Sequence, residues 1–158
     1  MKRLLFIAAF FAALAFGVAA QAPESPIRWR VTAKMTSPTE GTVTLRPLCA
    51  DGWHIYGTEE VKGGPVPTTF SFEGSEGVEY IGGVKPSAAP KREYQEMFST
   101  ELTYWEAGVN FTRRFKVTDA AKARIAGKIR YMGCDDHSCM PPREHPFSVT
   151  PKPFKPKK

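Results

Sequence analysis

Cysteine, histidine and long apolar runs are all scarce in this chain of 158 residues. The sequence has three cysteines and three histidines. Three cysteines are too few to hold a domain together by disulfides alone, so apolar packing must stabilise the fold. Neither a Gly-x-Ser-x-Gly nor a His-Glu-x-x-His run occurs, which leaves a standard serine hydrolase or zinc protease without support. Beyond residue 22, no segment is apolar enough to cross a bilayer.

An excess of charge of one sign is also lacking in the part of the chain that is expected to fold. The sequence has 22 Lys and Arg residues against 16 Asp and Glu residues. Six of the basic residues lie near the two ends, which leaves 16 basic against 16 acidic residues between them. A nucleic-acid-binding domain normally carries its basic charge on the folded surface. We therefore predict no nucleic-acid partner.

Residues 1–20 have the pattern of a secretory signal peptide. Lys2 and Arg3 precede an uncharged apolar run, residues 4–20, which ends in small residues with a plausible cleavage site after Ala20. The alternative is an uncleaved membrane anchor, but the run has 17 residues, at the short edge for a membrane span. The pattern predicts export to a bacterial periplasm, where disulfides can form.

The sequence between residues 27 and 150 alternates as short β-strands do. Residues 27–33 place Ile27, Trp29, Val31 and Ala33 on one face and polar side chains on the other. Further strands are predicted at residues 42–48, 53–56, 68–72, 78–81, 102–105, 109–117, 125–132 and 147–150. The polar residues 86–95 are predicted to form a loop, and residues 119–124 one or two helical turns.

This succession of short strands, with turns about ten residues apart, predicts an all-β domain over residues 27–150. An immunoglobulin-like β-sandwich is the expected architecture. Residues 151–158 consist only of Pro, Lys and Phe, without a core pattern, and are predicted to be a disordered basic tail.

Cys134 and Cys139 stand in the segment with the most informative chemistry. The four residues between them, Asp-Asp-His-Ser, suit a hairpin turn. Opposed residues at a hairpin neck have Cα atoms about 4.5–5.5 Å apart, and a disulfide needs about 4.4–6.8 Å. The pair can therefore bond. The bond could be a structural staple or a bond that exchanges, since closing so short a loop constrains the unfolded chain comparatively little.

Three further interpretations stay open at this point. The first is a Cu(I) site of soft ligands, built from Cys134, Cys139, His137, Met132 and Met140. The second concerns Cys49, which is either a small buried hydrophobe or a reactive or intermolecular thiol, because an odd cysteine count leaves one thiol unpaired. The third is that Asp135 and Asp136 act as general bases rather than as solvated turn residues.

Residues 134–142 (Cys-Asp-Asp-His-Ser-Cys-Met-Pro-Pro) resemble the active-site hairpin of the periplasmic N-terminal domain of the thiol:disulfide interchange protein DsbD. Three other segments agree with that family in order and spacing. Residues 51–56 resemble its aromatic strand beside the cysteines, residues 63–67 the loop that follows, and residues 96–98 the cap loop that lays an aromatic ring over the disulfide. The resemblance covers about residues 27–150.

The resemblance implies an immunoglobulin-like domain that carries electrons by thiol–disulfide exchange in the periplasm, as a component of a protein-disulfide reductase system. Cys139 would form the mixed disulfide with a partner, and Cys134 would resolve it. Phe98 would be the cap ring, although an ungapped alignment places Met97 there. The other expected site-lining residues are Glu96, His54, Tyr56 and Asp136.

The resemblance implies no cofactor, and it implies two kinds of protein partner. The electron donor would be a membrane or thioredoxin-like thiol:disulfide reductase. The acceptor would be an oxidised periplasmic protein, such as a disulfide isomerase or a cytochrome c maturation factor. Full-length family members continue into a membrane domain and a thioredoxin-like domain, which this sequence lacks, so the donor is expected to be a separate protein.

Overall fold

The computed structural model describes residues 25–154 and 156, and the export signal predicted for residues 1–20 lies outside them. The elements in this part of the chain are β1 (Ile27–Met35), β2 (Glu40–Cys49), β3 (His54–Tyr56), β4 (Thr69–Ser71), β5 (Val78–Pro86), β6 (Lys91–Gln95), a 3₁₀ helix (Glu96–Phe98), β7 (Thr100–Trp105), β8 (Phe111–Val117), β9 (Ile125–Tyr131), β10 (Gly133–Cys134) and β11 (Arg143–Val149). None of the described helices is long and apolar enough to span a membrane.

The strands form three antiparallel sheets. The strand orders are β1-β2-β8-β5 in the first sheet, β10-β3-β7-β6 in the second and β11-β9-β4 in the third. The sheets pack as an immunoglobulin-like sandwich, which confirms the predicted all-β class.

One apolar core joins the three sheets. The predicted alternation holds in β1: Ile27, Trp29 and Ala33 are buried and Val31 is partly buried against the core, whereas the residues that alternate with them are exposed. The Trp29 ring lies 6.1 Å from the Phe70 ring of the third sheet. The Trp105 ring of the second sheet lies 5.0 Å from the Phe111 ring of the first. Burial of such large rings is the main source of stability in a domain of this kind.

Two local predictions were wrong. The segment predicted as a loop contains β6, which pairs with β7 in register from Lys91 opposite Tyr104 to Gln95 opposite Thr100. Its side chains are almost all exposed, so no alternation marks it, and backbone hydrogen bonds to β7 make it a strand. Residues 119–124 form a turn rather than a helix, in which the Asp119 carboxylate accepts a hydrogen bond from the Ala121 amide.

The start of the predicted tail is paired rather than disordered. The Lys152 amide donates to the Ala33 carbonyl (3.1 Å), and the Met35 amide donates to the Lys152 carbonyl (3.2 Å). These bonds form because β1 is an edge strand of the first sheet and presents unpaired backbone groups. Residues 155, 157 and 158 lie outside the described residues.

Candidate functional site

The short strand β3 is buried on both faces, and this places its aromatic residues. Successive side chains of a strand point to opposite faces. Ile55 points into the main core and is fully buried. Tyr56 belongs instead to a second apolar cluster with Leu102, Tyr104 and Cys134. The second sheet therefore carries a separate small core, and the cysteines lie in it.

The two cysteines lie at the neck of a hairpin, as the spacing predicts. Cys134 and Cys139 are bridge partners and form a disulfide with a Cα–Cα distance of 4.0 Å. The Asp135 amide donates to the Ser138 carbonyl (2.9 Å). The Asp135 carboxylate accepts hydrogen bonds from the amides of His137 (2.9 Å) and Ser138 (2.6 Å). These bonds hold the pKa of Asp135 below its ordinary value, so Asp135 acts as a turn-forming residue.

The two sulfur atoms have different surroundings. Cys134 is 2% exposed and is paired opposite His54 in β3. Its Sγ atom accepts a hydrogen bond from the Tyr56 hydroxyl at 3.0 Å. Cys139 is only partly buried, at the outer arm of the hairpin. An incoming thiolate can therefore reach Cys139 Sγ more readily than Cys134 Sγ.

The 3₁₀ helix Glu96–Phe98 lies over this disulfide. It joins β6 to β7 and has no buried residue. The Phe98 ring packs edge-on against the Tyr56 ring, with centroids 5.7 Å apart. Met97 contacts the disulfide itself, since its Sδ atom lies 3.3 Å from Cys139 Sγ. The cap thus has two parts, in which Phe98 anchors the loop to Tyr56 and Met97 covers Cys139.

His54 lies between two tyrosine rings beside the disulfide. The ring centroids of Tyr56 and Tyr104 are 5.1 and 4.8 Å from that of His54. His54 Nε2 is buried and finds no hydrogen-bond partner among the described residues. Burial lowers the pKa of His54 from its ordinary value, against the opposing effect of nearby carboxylates such as Glu106 and Asp136. His54 is therefore a neutral wall of the site at neutral pH.

The tyrosine hydroxyls beside the disulfide stay protonated. Burial raises the pKa of Tyr56 to about 12. The Tyr104 hydroxyl donates to the Glu93 carboxylate at 2.8 Å, and this hydrogen bond is the main reason that the pKa of Tyr104 rises to about 12. Tyr56 can therefore donate a hydrogen bond to sulfur throughout the physiological pH range.

An open cleft beside the disulfide brings most of the predicted residues together. It is lined by His54, Tyr56, Glu96, Met97, Cys134 and Asp136. The other two predicted residues adjoin it, Phe98 through Tyr56 and Cys139 through Met97.

Three cleft residues were not predicted: Glu93, Tyr94 and Gln95. They lie on or beside β6, which the sequence pattern does not reveal as a strand. Tyr104 was missed for another reason. It stands on a predicted strand, and only its pairing opposite Tyr56 brings it to the site.

Cys49 and the hypothetical copper site are the two other candidates for sulfur chemistry. Cys49 is partly buried, and burial raises its pKa to about 11, so its thiol is protonated and weakly nucleophilic at neutral pH. Within residues 25–154 and 156, no group of three or more His, Cys, Asp and Glu side chains is placed to hold a metal ion. Met140 packs in the main core, whereas Met132 packs in the second cluster.

Comparison with known proteins identifies the family of the chain. The family model of the N-terminal part of the thiol:disulfide interchange protein DsbD matches residues 20–151. No curated protein sequence matches the chain.

Two solved structures are similar to the chain. The N-terminal periplasmic domain of ScsB from Proteus mirabilis is 17% identical, with a TM-score of 0.56 over 82% of this chain and 48% of that structure. This chain therefore spans about half of the ScsB structure, and the likeness supports the fold. The N-terminal domain of DsbD from Neisseria meningitidis, in its reduced form, is 17% identical, with a TM-score of 0.46 over 83% of this chain and 90% of that one.

Proposed function

Since this chain belongs to the family of the N-terminal domain of the thiol:disulfide interchange protein DsbD, we propose that it is a periplasmic protein that passes electrons through Cys134 and Cys139. One observation carries the proposal. The disulfide lies under a cap with one sulfur buried against Tyr56 and the other partly exposed. A bond that only stapled the hairpin would need neither this asymmetry nor a cap.

The oxidised domain accepts electrons by exchange at Cys139. A thiolate of the donor attacks Cys139 Sγ, a new donor–Cys139 disulfide forms, and the Cys134–Cys139 bond breaks. The bonding electron pair leaves on Cys134 Sγ, which receives the hydrogen bond of the Tyr56 hydroxyl. A second donor thiolate then attacks the donor sulfur of the mixed disulfide and releases Cys139. Two electrons and two protons have moved to the domain, and the donor has become a disulfide.

The reduced domain passes these electrons on by the reverse chemistry. The Cys139 thiolate attacks an acceptor disulfide, and one acceptor sulfur leaves as a thiolate. Cys134 then attacks Cys139 Sγ, which restores the Cys134–Cys139 bond and frees the reduced acceptor. The second step is fast because hairpin pairing holds the two sulfur atoms within bonding reach.

The partners we propose are a membrane or thioredoxin-like thiol:disulfide reductase as donor and an oxidised periplasmic protein as acceptor. Glu93, Glu96, Asp135 and Asp136 line the cleft. Partners with basic residues around their own cysteine would therefore dock with complementary charge. The predicted export signal supports a periplasmic location, as does the similar ScsB domain, which is itself periplasmic.

Trapping of mixed disulfides tests the assignment of the two cysteines. In a Cys49→Ser background, Cys134→Ser leaves Cys139 as the one thiol of residues 25–154 and should accumulate mixed disulfides with an oxidised thioredoxin-like protein. Cys139→Ser should accumulate at least about tenfold less, because Cys134 is buried. Equal trapping by the two variants would refute Cys139 as the exchanging sulfur.

The reduction potential separates an exchanging bond from a staple. The mature protein is equilibrated in graded glutathione buffers, and free thiols are alkylated and counted by mass. A midpoint of about −180 to −270 mV is expected for an exchanger. A bond that stays intact below about −300 mV would instead be a structural staple, and family membership would then describe the fold alone.

A further inference from the structure

Met97 is an exposed thioether in direct contact with the proposed exchanging cysteine. Its Sδ atom lies 3.3 Å from Cys139 Sγ. The residue is 58% exposed, and the short helix that carries it has no buried residue. Met97 is therefore the part of the cap that meets solvent and disulfide at once. A change in the polarity of the Met97 sulfur therefore changes the contact that covers Cys139.

The other sulfur atoms of residues 25–154 are less accessible or less reactive than Met97 Sδ. Met35 and Met132 are partly buried, and Met140 is buried. Cys134 and Cys139 are joined in the disulfide. The Cys49 thiol, with its pKa raised by burial to about 11, carries little of the thiolate that reacts with peroxides. Met97 thus offers the most accessible oxidisable sulfur in this part of the chain.

We propose that Met97 is a site of reversible oxidation, and that its sulfoxide uncovers the disulfide. The oxidant belongs to the hydroperoxides. Met97 Sδ attacks one peroxide oxygen, the O–O bond breaks and an S–O bond forms. For hydrogen peroxide, the other oxygen leaves as water. The sulfur loses two electrons, which the peroxide gains, and a methionine sulfoxide reductase can restore the thioether.

The sulfoxide changes the cap because it is polar and is itself solvated. It no longer favours the apolar contact with Cys139 Sγ, and the Phe98–Tyr56 ring contact is then the main anchor of the helix. Thiols therefore reach Cys139 more easily under oxidising stress. This regulation rests on the proposed function, since it matters only if the disulfide exchanges.

The rate of disulfide reduction by a small thiol tests the inference. The mature oxidised protein is treated with hydrogen peroxide to about one added oxygen per chain, and the modified peptide is identified by mass spectrometry. Reduction of the Cys134–Cys139 bond by dithiothreitol is then timed before and after treatment. Oxygen should appear first on Met97, and reduction should become about fourfold faster, the factor for losing the burial of one methylene-sized contact. Methionine sulfoxide reductase should reverse the change.

Two variants make the result specific. Met97→Leu keeps an apolar side chain without sulfur, so peroxide should leave its own reduction rate unchanged. Met35→Leu, on β1, should respond to peroxide as the wild type does. The inference fails if another methionine is oxidised first, if oxidised Met97 gives no acceleration, or if Met97→Leu responds equally. None of these outcomes depends on a protein partner, so they are distinct from a failure of the trapping experiment.

Discussion

Tyr56 contacts the buried cysteine, the cap and His54. Its hydroxyl donates to Cys134 Sγ, and the Gln95 side chain oxygen lies 3.4 Å from the same hydroxyl. Its ring meets those of Phe98 and His54 edge-on. Its backbone carbonyl accepts a hydrogen bond from the buried Thr68 hydroxyl at 2.7 Å. Because the backbone of Tyr56 is fixed in this way, its hydroxyl is held in place before exchange begins.

Tyr56→Phe should slow exchange at Cys139. The variant keeps the ring that contacts Phe98 but loses the hydrogen bond to the sulfur on which negative charge develops. A hydrogen bond to a charged group contributes about 1.5 kcal/mol, so reduction by dithiothreitol should be about tenfold slower. Stopped-flow or quenched alkylation measures this rate.

Tyr104→Phe is the matched control, since the Tyr104 hydroxyl donates to Glu93 and not to sulfur. It should leave the rate of reduction within about twofold of the wild type. If both variants slowed the reaction equally, the hydrogen bond to Cys134 would not be the cause.

At the scale of elements, the site depends on β10 and β6, the two short edge strands of the second sheet. Strand β10 has two residues, and Gly133 and Cys134 pair opposite Ile55 and His54. Strand β6 and the 3₁₀ helix bring the cap from the other edge of the same sheet. Gly133 allows β10 to approach closely, because an added Cβ would overlap Ile27 and lie 2.6 Å from the His54 carbonyl oxygen.

Gly133→Ala should destabilise the fold. The added methyl group meets backbone on one side and the buried Ile27 on the other, and overpacking of this kind costs about 1–3 kcal/mol. Urea denaturation with the disulfide intact measures the loss in the free energy of unfolding.

Gly83→Ala, on β5, is the comparison. Its chain neighbours aside, no atom of the residues that the structure describes lies within 4 Å of its added Cβ, so it should change stability by less than about 0.5 kcal/mol. A similar loss in both variants would mean that the close approach of β10 is unimportant.

At the scale of the whole molecule, two shielded histidines link stability to pH. Burial lowers the pKa of His54 and of His145 from the ordinary value of 6.5. Below that value the unfolded chain takes up protons that the folded protein resists, so protonation favours unfolding. The carboxylates around His54, namely Glu106, Asp136, Asp135 and Glu93, reduce this effect without reversing it. The contribution of the two neutral histidines to stability is therefore present above pH 6.5, and it is lost as the pH falls toward their pKa values in the folded protein.

Replacement of His54 by Phe should flatten this dependence. The wild-type free energy of unfolding should fall between pH 7 and pH 5, with His54 contributing at most about 1.4 kcal/mol per pH unit. His54→Phe removes that contribution and fills a similar volume between Tyr56 and Tyr104. Urea denaturation across the pH range gives the slopes. If the free energy of unfolding of His54→Phe depended on pH as steeply as that of the wild type, His54 would not be a histidine that resists protonation.

The sequence by itself determined the features that depend on local patterns. Alternation in β1 predicts which face is buried, since a strand has a period of two residues. The Cys-Asp-Asp-His-Ser-Cys spacing predicts a hairpin and a bond across its neck, because both depend on a few adjacent residues. The motif in residues 134–142 also led to the correct family.

Only the tertiary structure decided the features that depend on pairing or packing with another part of the chain. Strand β6 has no buried face to mark it, so pairing with β7 creates it. The tail pairs with β1 because that strand is a free edge. Packing also decides that Cys134 is the buried sulfur, and that Met97 contacts Cys139. Spacing along the chain cannot give the contacts of Tyr56 with Cys134 and of Met97 with Cys139, because these residues are 78 and 42 positions apart and meet only in the folded sandwich.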